Sequence, residues 1–287
     1  PSKKIKFKDK KDENFFLIKQ DDLLQLSLKK CKQLKKIKFL RNTPKEILNL
    51  EKKNHYNLIF NSQSNNILIK KFFAKSFKKD YDSTAFTTII NHKKISNNIA
   101  VQVFTKYGPL AFLPLSKDKT SIVYSVQKKF GLNLDEVKNE ILKNSKKYDF
   151  KKWFNMEKFD LNYSFPRKLV HKNIIIFGDA LHKIHPLAGQ GFNMTLRDLK
   201  LISSILENKL NYGLEIDRSS LIEFKNKSQH FNFIFGIGVN LINEFFILDS
   251  LFDGKFSDNI FSLLDKNKLF KRSSISIANN GINFFTE

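Results

Sequence analysis

The sequence predicts an α/β (α+β composite) fold, in which a strand-and-helix unit is interrupted by an antiparallel β-sheet, completed after it, and followed by a helical tail. Three observations carry this expectation. Two isolated apolar runs, Tyr56–Phe60 and Ile174–Phe177, have the length and composition of buried strands. Between them, from about Asp82 to Val126, four segments rich in β-branched and aromatic residues follow one another at 10 to 14 residue spacing with no helix between. After Asn193 the apolar period turns helical.

Taken in order, residues 1–14 are Lys-rich and read as a frayed start or a solvated strand pair. From Phe15 to Leu40 the pattern suggests a short strand, a helix over Asp21–Gln33 and a strand at Lys36–Leu40. The four β segments are STAFTTIINH, NNIAVQVFT, GPLAFLPLS and TSIVYSV, with turn-formers at Lys106-Tyr107-Gly108 and Lys117-Asp118-Lys119. Asn133 to Tyr148 reads as a helix, with Asn133 as N-cap and Glu136 three residues on, the spacing of a capping box. Arg167–Phe177 ends in a buried strand, and Leu196, Leu199, Ile202 and Leu206 share one face of the helix that follows. Further helices are expected over Ser219–Leu248 and Asp258–Leu269.

Composition narrows the function classes. At 287 residues the chain suits one or two domains. With 41% apolar residues, 30 of them Phe, it has ample core material and is not a disordered chain. Ten glycines and six prolines without a period exclude a collagen-like architecture. A single cysteine, Cys31, excludes an intrachain disulfide and a multi-cysteine zinc module, suits a reducing compartment, and is expected to be a small buried residue. The formal charge of +23 comes from 46 lysines and only five arginines. Arginine's planar fork is what phosphate sites favour, so the excess reads as a solvated Lys-rich surface and no nucleic-acid partner is expected. Attraction to an anionic membrane surface stays open. The most apolar stretch, Phe231–Leu248, contains Asn232, Asn240, Asn243 and Glu244 and falls short of the ~20 clean apolar residues a bilayer needs. A cytoplasmic protein, or one peripheral on the inner face of a membrane, is expected. The start at Pro1 rather than Met suggests residues upstream.

The chemistry is concentrated between Asn173 and Asp198, where a buried strand ends in Gly178-Asp179 and a loop with Pro186 and Gly189-Gln190-Gly191 leads to a helix opening near Asn193. Paired glycines let backbone approach a ligand and leave amide donors free, and a helix N-terminus adds a positive dipole end. An acid facing such a terminus suits a polyol joined to an electron-rich ring. Asp179, His182 and His185 also have the residue types of a metal triad. Pro186 and the strand end favour a loop there and no fourth ligand is evident, so no metal is expected.

This run resembles the second flavin-binding motif of the aromatic-ring flavoprotein hydroxylases, on Gly178, Asp179, Ala180, His182, Pro186, Gly189, Gln190, Gly191, Asn193, Arg197 and Asp198. Within that family the chain is most similar to the ubiquinone-biosynthesis hydroxylases, which show a strand like Phe104–Leu115 here. The resemblance runs from Phe16 to the Ala278-Asn279-Asn280-Gly281 tail. It implies an incomplete FAD-binding Rossmann-like domain (residues 1–78 and 168–210) interrupted by an antiparallel β-sheet substrate domain (79–167), with a helical C-terminal region (211–287). The implied cofactor is FAD, with Asp179 on its ribityl chain and Pro186, Gly189, Gln190, Gly191, Phe192 and Asn193 around its ring. Leu113 and Pro114, on a central strand of the sheet, would roof the substrate pocket. No catalytic side chain is implied, because the flavin does the chemistry: reduced by NAD(P)H or another donor, it takes up O2 as a C4a-hydroperoxyflavin and hydroxylates a polyprenylated phenol or quinol. The implied partners are that hydrophobic quinone precursor, O2, and other quinone-biosynthesis proteins.

Two departures stand beside the match. The sequence has no G-x-G-x-x-G: after Gly236 and Gly238, Leu241 occupies the place of the third glycine. The family's middle Ala-Asp-Gly motif should follow Tyr56–Phe60, where Asn61-Ser62-Gln63-Ser64 stands instead, so that Gln63 and Ser64 replace acid and glycine. The alternative reading is therefore a truncated, non-catalytic lipid- or quinone-binding subunit of a quinone-synthesis complex.

Overall fold

The computed structural model describes residues 18–50, 56–181, 190–228 and 267. Two helices, α1 (Gln20–Gln33) and α2 (Pro44–Asn49), lead to strand β1 (Ile59–Asn61) and helix α3 (Ile67–Phe72). A run of strands follows: β2 (Ser76–His92), β3 (Val101–Thr105), β4 (Gly108–Ser116) and β5 (Lys119–Gln127). Next come α4 (Leu134–Asn144), β6 (Phe150–Trp153) and β7 (Glu157–Pro166), then β8 (Val170–His171), β9 (Ile174–Ile176) and the long helix α5 (Gln190–Asn211). Residues 218–228 are helical again.

The strands form two sheets. β1 pairs in parallel with β9, Ile59 opposite Ile174 and Asn61 opposite Ile176, and β8 closes the far side in antiparallel sense. The strands β2 to β7, which lie between these parallel partners in the chain, form the other sheet, ordered β3-β4-β5-β2-β6 and antiparallel throughout, with β7 also on β2. This is the interrupted arrangement the sequence predicts. The two ends of the insertion meet, because Ser76 pairs with Pro166.

Burial explains both sheets. Ile174, Ile175 and Ile176 are inaccessible to solvent on both faces, as a parallel strand packed from two sides requires, and join Leu68, Phe73, Ile202, Ile205 and Phe224 in one core. In the large sheet the pattern alternates. Leu110 and Phe112 of β4, with Ile122 and Tyr124 of β5, pack against Val137 and Ile141 of α4. Tyr124 shares a 2.9 Å hydrogen bond with the Thr105 hydroxyl, and burial pushes its own hydroxyl pKa above the tyrosine range. At the β2–β7 register shift between Asp80 and Thr84, the Thr84 hydroxyl donates to Asp160 at 3.0 Å and Lys128 approaches that carboxylate at 3.2 Å, which together lower the Asp160 pKa.

Caps set several boundaries. Asn133 accepts from the amides of Asp135 (3.0 Å) and Glu136 (2.9 Å), while Glu136 accepts from the Asn133 amide at 2.8 Å, the capping box that the sequence predicts. Asn133→Ala is expected to cost about 1 kcal/mol, read as a lower denaturant midpoint at unchanged slope, with Asn133→Asp retaining most of the stability.

Several expectations are corrected. Lys36–Leu40 forms no strand: Ile37, Phe39 and Leu40 are exposed, and among the described residues no strand pairs with this segment. The helix begun at Asn133 stops at Asn144, and Tyr148 turns inward to stack on Phe112 and to pack against His92. Strands β6 and β7 and helices α2 and α3 are absent from the sequence reading. Of the stripe expected on α5, Ile202 is buried and Leu206 packs against the same core, but Leu196 and Leu199 are 47% and 46% exposed; the buried face is completed by Met194, Asp198 and Ile205, an acid interrupting the apolar period. Cys31 is half-buried. Of the expected later helices, 229–248 and all of 258–269 but 267 lie outside the described residues, as do the first residues, 15–17, of the short strand expected before Asp21; Ile18 and Lys19 form no strand. Among the described residues no helix is long and apolar enough to cross a membrane.

Candidate cofactor site

The parallel pair β1 and β9 ends on one side of the small sheet, and three segments converge there. After β1, the buried Asn61 side chain organises its own loop: its amide donates to the Gln63 carbonyl at 3.3 Å, and its oxygen accepts from Asn66. Asn66 in turn caps α3, accepting from the Ile69 amide at 3.1 Å. After β9, the Phe177 amide donates to the Asn61 carbonyl at 2.9 Å and extends the parallel ladder by one step. Gly178 then turns the chain with φ +55°, in the left-handed region, into a single 3-10 turn, Gly178–Ala180, fixed by the Leu181 amide donating to the Gly178 carbonyl at 2.9 Å. The third segment is the start of α5, which packs on this turn. A Cβ placed on Gly178 would lie 3.7 Å from both the Ser62 Cβ and the Thr195 methyl, so the turn is wedged between the β1 loop and α5. This is the crevice outside the carboxyl ends of parallel strands, where open α/β sheets place ligands.

The polar groups of the crevice come from the predicted residues. Asp179 is exposed on the turn, and among the described residues its carboxylate has no hydrogen-bond or ion-pair partner. Gln190, Gly191, Phe192 and Asn193 form the first turn of α5 rather than a loop ahead of a helix opening near Asn193. Their amides precede the first intrahelical acceptors and stand at the positive end of a 22-residue helix. Phe192 and Asn193 are exposed, whereas Met194 and Asp198 are buried below them and anchor the turn, with Arg197 3.5 Å from the Asp198 carboxylate. Pro186 and Gly189, and likewise His182 and His185, lie outside the described residues. Among the described residues no cluster of His, Cys, Asp or Glu could hold a metal ion.

A carboxylate with no partner among the described residues can accept hydrogens from hydroxyls, while helix-terminal amides set beside it can donate to an electron-rich edge. That donor set fits the ribityl chain and ring of FAD. Sequence reasoning missed Ser62, one of the two side chains that flank Gly178, because it placed the departure from the family at Gln63 and Ser64; both of those are exposed in the loop beyond. It also missed the Asn61–Asn66 pair, whose signal was an Asn directly before the apolar Ile67-Leu68-Ile69 run.

Leu113 and Pro114 are adjacent on β4 and therefore point to opposite faces. Pro114 pairs with the buried Thr120 on the face shared with α4. Leu113 pairs with Ser121 on the other face, which is half-buried and where Ala111, Val123, Thr87 and Ile89 also sit. Its strand lies next to the edge strand β3, one place off the middle of the sheet.

Known proteins bear on this arrangement. The ubiquinone biosynthesis monooxygenase COQ6, mitochondrial, of Danio rerio is 22% identical over 237 residues, which cover 67% of this chain and 49% of that protein. The 3-demethoxyubiquinol 3-hydroxylase of Escherichia coli is 32% identical over 118 residues, 39% of this chain and 30% of that one. The chain thus spans about half the length, or less, of these curated relatives. Among solved structures, p-nitrophenol 4-monooxygenase PnpA from Pseudomonas putida shares the fold with a TM-score of 0.63 at 13% identity, over 79% of this chain and 60% of that one. HpxO of Klebsiella pneumoniae complexed with FAD shares it with a TM-score of 0.56 at 11% identity, over 78% and 61%. The family profile described as FAD binding domain matches residues 60–213, from β1 through the sheet insertion to the end of α5, and over that span takes in each part of the crevice just described. The chain belongs to this FAD binding domain family.

Proposed function

We propose that this chain is the flavin- and substrate-contacting part of an FAD-dependent monooxygenase that hydroxylates the aromatic ring of a polyprenylated phenol or quinol in ubiquinone biosynthesis. The observation that carries the reading is the convergence at Gly178, where the β1 loop, the Asp179 turn and the N-terminus of α5 meet. The ubiquinone-pathway names of the relatives support the substrate class. When bound, FAD supplies the redox chemistry, with NAD(P)H or another donor as reductant and O2 as co-substrate.

The chain's own residues bind and orient. Asp179 accepts hydrogens from ribityl hydroxyls, the role a carboxylate without another partner can fill. The amides of Gly191, Phe192 and Asn193 donate to the ring edge that carries negative charge, and the α5 dipole favours that charge by about 0.3–1 kcal/mol. Gln190, which opens α5, is a further ring contact in this reading, as are Pro186 and Gly189 from outside the described residues. The Leu113 face of the sheet offers small side chains, Ala111, Ser121 and Thr87, between apolar ones, Val123 and Ile89. It accepts a flat ring with an apolar tail and keeps water from it, while Pro114 supports the strand from behind. The protein works at the cytoplasmic face of a membrane, where its hydrophobic quinone precursor resides, in company with other quinone-biosynthesis proteins.

A second reading, quinone binding without turnover, is favoured by one observation: Gln63 and Ser64 stand where the family's middle motif has an acid and a glycine. Purified chain mixed with FAD and desalted decides between them. Retained flavin absorbance, with hydroxylation of a short-chain polyprenyl phenol on addition of NADH and O2, is the expected result. A colourless chain that still binds the phenol would establish the second reading and sink the first.

A further inference from the structure

Among the described residues, the stretch from Lys29 to Arg41 interleaves exposed apolar side chains with dense positive charge. Helix α1 contains no fully buried residue, and beyond it the chain continues through residues 34–41 without regular structure. Leu34, Phe39 and Leu40 are 57%, 58% and 65% exposed, and Ile37 is exposed as well. Interleaved with them, the stretch from Lys29 to Arg41 holds seven basic residues and no acidic one. The acids of α1, Asp21 and Asp22, lie in its first turn, at the far end of the helix.

We infer that the segment from Lys29 to Arg41 is a docking surface for an anionic lipid bilayer. Exposed Ile, Phe and Leu side chains are a standing loss in water and gain by entering the boundary between headgroups and acyl chains. Lysines on either side of them reach back with flexible stems to the phosphate level, and a cluster of this density is drawn to an anionic leaflet. Charge complementarity selects the lipid surface, and the apolar residues separate it from a nucleic acid, whose backbone recognition has no use for them and favours the arginine this segment holds only at Arg41. The inference leans on the flavin reading for its purpose alone, bringing the crevice to a substrate with a bilayer-borne tail.

The test is co-flotation of the full chain with vesicles of phosphatidylcholine, and with vesicles of phosphatidylcholine and phosphatidylglycerol in equal parts. Binding to the mixed vesicles about tenfold or more stronger than to phosphatidylcholine alone is expected. The variants Phe39→Ser with Leu40→Ser, and Lys35→Glu with Lys36→Glu and Lys38→Glu, are each expected to lose about tenfold of that binding, with unchanged denaturation midpoint and flavin retention. Equal binding by parent and charge-reversed chain overturns the inference. So does a serine variant that binds vesicles and heparin as well as the parent, since that is adhesion to any polyanion. A colourless chain that floats with the vesicles leaves this inference standing and removes the flavin reading; a yellow chain that ignores them does the reverse.

Discussion

Replacing Gly108 by alanine is expected to destabilise the antiparallel sheet by about 3 kcal/mol or more, enough to leave the chain largely insoluble on expression. Gly108 opens β4 with φ +143°, a conformation closed to residues with a side chain. Its missing Cβ would stand 2.1 Å from the Ser125 carbonyl oxygen and 3.2 Å from the carbonyl carbon, and both are backbone atoms that no rotamer change can move. The strand cannot back away either. The Gln127 amide donates to the Tyr107 carbonyl at 3.0 Å, Leu110 is in register with Tyr124, and the Thr105 hydroxyl donates to the Gly108 carbonyl at 2.8 Å. Relief requires breaking the β4–β5 ladder at its start. Urea denaturation of any soluble fraction checks this, and a midpoint within error of the parent would show that the turn relaxes after all.

The second large effect is on ligand rather than on fold. Asp179→Ala is expected to weaken FAD binding about ten- to a hundredfold, the loss of hydrogen bonds to a charged acceptor, at an unchanged denaturation midpoint. Its carboxylate is exposed and has no partner among the described residues, so the substitution removes no interaction with any of them. Asp179→Asn keeps an acceptor without the charge and is expected to fall between parent and alanine. Equilibrium dialysis against FAD gives the affinities. Equal affinity in all three proteins would mean that this turn does not touch the ribityl chain.

What the sequence made legible, and what it did not, follows from the range of the interactions involved. Four strands of the large sheet, the α4 cap at Asn133 and the buried Ile174–Ile176 strand are written in local pattern: alternation, capping spacing, an unbroken β-branched run. Asp179 and Gly191 stood out in the sequence because glycines and an acid at fixed spacing carry their own geometry. The stripe on α5 was misread because Asp198, an acid, occupies a buried position, and periodicity counts only apolar residues. Ser62 escaped because its place beside Gly178 is set by the parallel pairing of Asn61 with Ile176, a contact that no local signal announces. Strand β7 was overlooked because Phe159 and Leu161 alternate with Asp160 and Asn162, residues that discourage strands until β2 supplies a partner.

The pairing of Ser76 with Pro166 has a kinetic consequence. As the chain leaves the ribosome, Ile59 emerges more than a hundred residues ahead of the Ile174 it must meet. If the intervening residues have already folded, their two ends are held side by side, with the Arg167 amide on the Lys75 carbonyl at 3.0 Å. The loop left to close then shrinks to roughly twenty residues, which lowers the closure entropy by about 1.5 kcal/mol at ~0.6 kcal/mol per halving. Assembly is thus hierarchical: the inserted sheet acts as a clasp that draws the parallel strands β1 and β9 together, and any lesion that delays the clasp delays them too.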